Sequence, residues 1–430
     1  MPDNYTSVHL FDLPVTNHAS SSGTPANAFS ASLSIQLIKP AEFGDLCEQW
    51  ASLIARSAVP NVFMDPAVAL AFAESWPDPI RIMLTWLRDP EAGNDVRLVG
   101  AWLLVERSTR LTWPLKALVS PVGPVAYLGT PVIDAAYAAP VLTAMLEHIR
   151  TTPALPKLVL AGDMSGGSAV MDALEKVLAD GKARARLIEA RSRARLSACE
   201  EAEAFWAASM STRHRQDFAR KRRQLGRMGE LVFSCVDEPE AVAAGLEEFL
   251  MLEASGWKGK RKSALTCDAT TAHFTRRTVA ELAQRRLVSL QALRLNGVPI
   301  AMAVVLFAGE AAYTWRTAYD ETYRRFSPGV LLLENTTAYL ITNPAVTVTD
   351  SCNHRDTGFQ AERWPERHVV LDLLIDVNPG LSVRLLLLWS RETTIRRGRE
   401  LARRLYWQLQ RTLSGARQHW HDRRSTKSVF

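Results

Sequence analysis

Apolar positions along this chain recur with two periods, and the period switches repeatedly. SLSIQLI, around Leu33–Leu37, alternates apolar and polar residues as a half-buried strand does. Phe43, Leu46, Trp50, Leu53 and Ile54 then share one stripe of a helix over Ala41–Ser57. After Val59–Phe63, Asp65-Pro66 opens a second helix, because proline at a first helical position forfeits no intrahelical hydrogen bond. Strand patterns follow at Pro79–Trp86, Asp95–Glu106 and, punctuated by Pro and Gly, Leu118–Leu128. A helix at Ala135–Arg150, a strand at Lys157–Leu160, a helix at Ala169–Leu178 and a strand at Ala185–Ile188 complete an α/β series.

The order then starts again. A helix over Glu200–Met228 and a strand at Leu231–Val236 precede helices at Pro239–Gly256 and Ala269–Arg286. Strands Val288–Leu295, Pro299–Phe307 and Ala311–Tyr319 follow, the first two joined by Asn296-Gly297, a hairpin turn whose residues both tolerate positive φ. Ser327-Pro328-Gly329 launches a helix through Leu340, and strands close the series at Val346–Asp350 and Val369–Asp376. A last helix, Arg391–Leu413, repeats Leu401, Leu405, Leu409 and Leu413 on one face and Arg397, Arg404 and Arg411 on another. The pattern predicts an α/β fold of two tandem halves, residues 34–190 and 191–382, with mixed sheets flanked by helices. A basic amphipathic helix and tail occupy 383–430. Residues 1–33, rich in Ser, Thr, Asn, Ala and Pro, hold too little apolar surface to offset ordering entropy and read as a flexible leader.

Composition agrees with two globular units: 430 residues, 47% hydrophobic and 22% charged. The net charge of +6 and pI near 9.1 suggest an anionic partner at first sight. Its distribution changes that picture. Residues 391–430 hold eleven Lys/Arg against Glu392, Glu400 and Asp422, a local +8, while residues 1–390 balance to −2. The five cysteines are widely spaced and form no CxxC, which points to a reducing compartment. No apolar run approaches the roughly 18 residues of a spanning helix, and the N-terminus has no signal-peptide pattern, so a cytoplasmic protein is expected.

Four segments carry candidate chemistry. In Tyr313–Leu333 an aromatic strand runs to Tyr319-Asp320, a loop carries Arg324 and Arg325, and Ser327-Pro328-Gly329 starts a helix. Unpaired N–H groups and the dipole at such a helix start hold phosphate, and Gly329 leaves room for close approach; a plain N-cap at Ser327 is the structural alternative. In Leu252–Leu265, Glu253 and Lys258 flank Trp257 beyond a helix stopped by Gly256. That is either an acid or base beside a stacking ring, or cations complementing a helix C-terminus.

In Thr347–Arg363, Asp350, Cys352, His354 and Asp356 gather after a strand, without the three or four ligands of a metal site, so no metal is expected. Arg213–Arg227 holds seven Arg/Lys against Asp217 alone. No nucleic-acid-binding signature accompanies it, so it reads as a solvated helix face and no specific nucleic acid is expected. Asp163-Met164-Ser165-Gly166-Gly167 falls short of a nucleophile elbow, lacking Gly two positions before the serine.

GWKG at Gly256–Gly259, AYD at Ala318–Asp320 and YRRFSPGVLL at Tyr323–Leu332 stand in a telling order. From about Ser211 to Trp364 the chain resembles the acetyltransferase domain of the GNAT superfamily as found in CelD-type cellulose-biosynthesis proteins, related in layout to Fem-type transferases. Residues 35–190 look like the degenerate first half of such proteins. The resemblance implies an acyl-CoA donor, acetyl-CoA or another, with its pyrophosphate on Arg324, Arg325, Ser327, Gly329 and Val330. The loop departs from the usual family pattern, with Pro328 where Gly is customary.

By the same resemblance Asp350 or Glu253 is the general base, the splayed end of Ala311–Tyr319 supplies the oxyanion N–H, and Tyr319 or Tyr323 protonates the departing thiolate. The acceptor it implies is a small molecule or saccharide on the way to cellulose or another exopolysaccharide. Two alternatives stay open. One is a Fem-like transferase using aminoacyl-tRNA; the other is a non-catalytic accessory protein of a synthase. The tail Arg391–Phe430 reads either as a contact with a membrane surface or a synthase, or as a solvated helix packed back on the body.

Overall fold

Asp65 shows how local sequence rules reach across the molecule. Its carboxylate caps helix Pro66–Ser75, accepting from the Ala67 N–H at 2.9 Å, as the Asp-Pro pair predicts. It also accepts from Trp50 Nε1 at 2.8 Å and from Arg285 Nη1, in the second half, at 3.1 Å. The computed structural model describes residues 32–89, 95–198, 202–395 and 397–398. Residues 1–31 of the expected leader, and the final helix from residue 399 onward, lie outside them.

The first half supplies strands β1 (Ser32–Ile38), β2 (Ile80–Asp89), β3 (Asp95–Arg107), β4 (Ala117–Val119), β5 (Val132–Ile133), β6 (Leu158–Ser165) and β7 (Arg184–Ser197). The second supplies β8 (Leu231–Val236), β9 (Val288–Leu295), β10 (Val298–Ala308), β11 (Ala311–Tyr319), β12 (Val348–Asp350) and β13 (Glu366–Asp376). All join one 13-stranded mixed sheet in the order β1-β2-β3-β4-β6-β13-β7-β12-β11-β10-β9-β8, with β5 beside β3.

Each half is an antiparallel meander, β1–β4 or β8–β11, whose last strand pairs in parallel with one more strand, β6 or β12. The strand after that is exchanged. β13 lies antiparallel on β6, and β7 lies antiparallel on β12, so each half is closed by a strand from the other. β7 and β13 pair with each other at the seam. The duplicated α/β fold is therefore present, with its expected mixed sheets merged into one and its halves interlocked.

Five elements differ from expectation, the first being the helix read over Ala41–Ser57, which is two helices, Pro40–Gly44 and Cys47–Ala55, parted at Asp45-Leu46. The stretch Leu118–Leu128 is strand only through Val119, because Pro121 and Pro124 offer no N–H to a ladder. The helix expected over Glu200–Met228 is two helices, Ala202–Ser209 and Thr212–Gly226, separated where Ser211 caps the second by accepting from the His214 N–H at 3.4 Å. The strand read at Ala185–Ile188 continues to Ser197. The C-terminal helix starts at residue 383 rather than Arg391, and its Leu385 and Leu388 are buried against Leu111, Ala117 and Leu374 of the body.

Beyond Val119, the chain over residues 120–130 fills the wedge where β4 and β6 diverge. Ser120 N–H donates to Leu160 O at 3.0 Å and Gly129 N–H to Asp163 O at 3.1 Å. Gly129 is pressed so close to the neighbouring backbone that a Cβ there would lie 2.2 Å from the Gly162 carbonyl oxygen. Gly129→Ala is expected to lower stability by about 1–3 kcal/mol, read as a lower urea midpoint at unchanged slope. An unchanged midpoint would mean that the loop yields freely.

Among the described residues no helix is long and apolar enough to cross a membrane. Nor is any group of three or more His, Cys, Asp and Glu among them placed to hold a metal ion.

Candidate functional site

In the second half the corresponding wedge is open. β11 pairs with β12 only from Ala311–Val348 to Tyr313–Asp350, and beyond Tyr313 the two strands part. A register shift between Val304 and Val305, opposite Arg316 and Thr314, places a bulge at Trp315 where the strands separate. Between the parted strands lies a cleft of about 350 Å³, reached by Glu253, Trp257, Lys258, Tyr319 and His354. Its outer wall is the first half's own loop. The carbonyls of Val125 and Tyr127 accept from Trp315 Nε1 at 2.8 Å and Arg193 Nη1 at 2.7 Å, and the Tyr127 ring lies 5.0 Å from that of His354.

Helix Pro239–Ser255 brings Glu253 to the cleft, and the chain then folds back as the short helix Trp257–Lys260. That return requires the last glycine of GWKG, since a Cβ on Gly259 would sit 1.7 Å from the Ala254 carbonyl oxygen. Gly256 does end the longer helix, though with extended rather than left-handed backbone. Glu253 is buried and accepts from Lys258 Nζ at 2.7 Å and from the Leu265 N–H at 2.8 Å. Lys258 also donates to the Thr317 carbonyl at 3.0 Å, on the part of β11 that has left its parallel partner. Burial pulls the Lys258 ammonium below its ordinary pKa, opposed by Glu253. Burial, then the nearby Arg191, Arg316, Arg193 and Arg355, keep His354 below its usual value, so its ring is neutral at pH 7.

Asp350 occupies a different position from Glu253. It does not line the cleft; it lies behind the cleft wall, accepting from Arg193 Nη2 at 2.6 Å, the Cys352 N–H at 2.8 Å and His368 Nδ1 at 2.9 Å. Burial alone would raise its pKa, but Arg193, His368 and the Cys352 N–H outweigh burial and hold it well below the usual carboxylate range. Burial pushes the Cys352 thiol up, so it is not a thiolate nucleophile.

At its far end β11 leads through Asp320 and the 3-10 segment Glu321–Phe326 to helix Pro328–Thr342. Ser327 is left-handed, with φ 54°, and makes no side-chain cap; its Oγ instead accepts from Lys221 Nζ at 3.0 Å. Gly329 faces Tyr319, with only 3.4 Å between a Cβ built there and the ring. Arg324 and Arg325 are exposed, and Arg325 shares a second cleft of about 440 Å³ with Arg220 and Arg227 of helix Thr212–Gly226. Val330 sits half-buried in the first turn of the helix. The basic helix is therefore more than a solvated face: Phe218 and Leu225 are buried, and Lys221 reaches the helix start.

Residues 212–352 match the family model of the acetyltransferase (GNAT) domain. This stretch is a GNAT-type acetyltransferase domain. The match makes the protein an acyltransferase, and GNAT domains draw on acyl-CoA. Among solved structures the chain is similar to FemX, at 12% identity over 80% of this chain and 96% of that one, with a TM-score of 0.51. The C-terminal domain of a candidate lysylphosphatidylglycerol synthetase from Agrobacterium fabrum matches at 14% identity over 82% and 96%, with a TM-score of 0.50. A tandem GNAT protein from the clavulanic acid biosynthesis pathway aligns at 14% identity over 81% and 100%, with a TM-score of 0.40. The likeness to the first two is one of fold. A search of curated proteins finds no relative of the chain.

Of the residues singled out in the sequence, the GNAT domain brings Glu253 and Tyr319 into one cleft and sets Gly329 against Tyr319. Missed in the sequence were Tyr127, which arrives from the first half, and Lys221, whose place in a seven-cation run masked its contact with Ser327.

Proposed function

We propose that the second half transfers an acyl group from acyl-CoA to an amine or hydroxyl of its acceptor. One observation carries this reading. Within the stretch that matches the GNAT domain, the open wedge between β11 and β12 runs, past Tyr319, to a helix start flanked by Lys221, Arg324 and Arg325. The Gly329 N–H, which takes no part in the bonds of Val330 and Leu331 to the Ser327 carbonyl, and the three cations suit a pyrophosphate, and the wedge suits the acyl arm. Glu253 takes the proton of the attacking group, Tyr319 protonates the departing thiolate, and Asp350 positions the wall through Arg193 and His368. The resemblance to CelD-type proteins supports a saccharide acceptor on the way to an exopolysaccharide, in the cytoplasm.

Calorimetry with acetyl-CoA, followed by thiol release across a panel of amines and saccharides, tests this reading. The double substitution R324A/R325A is expected to weaken acetyl-CoA binding about ten- to a hundredfold, the weight of one or two charge-assisted hydrogen bonds. Absence of acyl-CoA binding by the unmodified chain would overturn the proposal. The basic cleft of Arg220, Arg227 and Arg325 favours one other reading, a Fem-like aminoacyl-tRNA donor. Tight tRNA binding with steep salt dependence, in place of acyl-CoA binding, would select it.

A further inference from the structure

The acyl-transfer reading gives the polar groups where the two halves meet a positioning part alone, yet three of them form a directional chain. Ser165 ends β6, His368 lies on β13 and Asp350 ends β12. Ser165 Oγ is 2.9 Å from His368 Nε2, and His368 Nδ1 is 2.9 Å from Asp350 Oδ2. The direction of the hydrogen bonds follows from charge. The ionised carboxylate of Asp350 can only accept, so His368 Nδ1 must donate. In the neutral imidazole Nε2 then carries the lone pair, and Ser165 must donate its hydroxyl proton to it. We propose that Ser165, His368 and Asp350 form a second reactive site, in which Ser165 is acylated by small activated esters or thioesters.

The surroundings fit a nucleophile better than a buried structural link. β6 passes through Asp163, a non-glycine residue at φ 46°, two positions before Ser165. The strand ends at Ser165, turns at Gly166-Gly167 and enters helix Ala169–Ala179. That strand–turn–helix placement presents a serine at the end of a sheet, even without the upstream glycine of the elbow pattern. The N–H of Gly166 is taken by the Val369 carbonyl at 2.9 Å, and that of Met171 is capped by Ser168 Oγ at 3.4 Å. Ala169 and Val170 open the helix, where their N–H groups have no acceptor one turn back. Ser165 is 7% exposed, and a Cβ placed on Gly167 would meet nothing within 4 Å, so the turn beside the serine faces open space. Arg193 shares Asp350 Oδ2, so the aspartate orients the ring more than it strengthens it as a base.

The step balances as follows. Ser165 Oγ bonds to the carbonyl carbon while its proton passes to His368 Nε2. The adduct collapses with loss of the alkoxide, phenoxide or thiolate, which takes up that proton and leaves an ester on Ser165. Water attacks by the same route, its proton passing through His368 to Ser165, and the carboxylic acid is released.

The full chain treated with p-nitrophenyl acetate tests the site without acyl-CoA, so its outcome is separate from that of the acyl-CoA experiment. The expected result is a burst of nitrophenolate and a single acetyl, about 42 Da, on the tryptic peptide 158–176, with fragment ions placing it on Ser165 rather than Ser168. Ser165→Ala should abolish the adduct. His368→Gln should slow it about a hundredfold or more, and Ser165→Cys should restore it as a hydroxylamine-labile thioester. No acetyl on Ser165 or Cys at 165, or acetylation at the unmodified rate in His368→Gln, would overturn the proposal.

Discussion

Arg193→Met is expected to cost the fold about 3–5 kcal/mol, the usual consequence of stripping the partner from a buried charge. Arg193 is 1% exposed and lies where β7, β12 and β13 meet, donating to Asp350 and to the Tyr127 carbonyl. Methionine fills similar space but leaves the Asp350 carboxylate with His368 and one backbone N–H. Urea unfolding should show the loss, and Arg193→Met combined with Asp350→Asn should recover most of it. The pH dependence follows from Asp350, whose folded pKa is depressed. Its contribution is fully present above the unfolded value of about 3.9 and is lost as pH falls through the folded value. The gap between the native protein and Arg193→Met should therefore narrow below about pH 4 as the carboxylate protonates. A gap that stayed constant from pH 7 to pH 3 would show that Arg193 acts through packing alone.

How far the fold could be read depended on how local its determinants are. Strands β9, β10 and β11 emerge within a residue or so of their predicted bounds because Asn296-Gly297, both at positive φ, fixes where the first hairpin turns. β7 was cut short because arginines occupy Arg184, Arg186, Arg191, Arg193 and Arg195, which reads as a solvated segment. Three of them turn out to face carboxylates far along the chain: Arg191 meets Asp372, Arg193 meets Asp350 and Arg195 meets Glu366.

No local period encodes the exchange of β7 and β13, which pairs residues well over a hundred positions apart. The same limit applies to the sites. Glu253, Trp257 and Tyr319 share a cleft that motif order already suggested. Asp350 and His354 are neighbours in sequence, yet His354 lines the cleft and Asp350 lies behind its wall. Ser165 looked inert because its partner is His368, at the other end of the described chain.

Glu253→Gln is expected to lower acyl transfer about 10²–10⁴-fold, the range associated with losing a positioned proton acceptor. Glutamine retains an oxygen for the Leu265 N–H, so the local fold should hold and the affinity for acyl-CoA should change by no more than about twofold. Single-turnover thiol release at saturating acyl-CoA separates the two effects. Lys258 is a second readout. Burial already pulls its ammonium down and Glu253 opposes that pull, so removing the carboxylate should lower its pKa further and free an amine within reach of the acyl group. Slow acetylation of Lys258 in Glu253→Gln, absent from the unmodified chain, would show that the acyl arm enters this cleft. Asp350→Asn should reduce turnover less, because Asp350 acts through Arg193 and His368 rather than on the acceptor. Full activity in Glu253→Gln would pass the base to His354, whose neutral imidazole lines the same cleft.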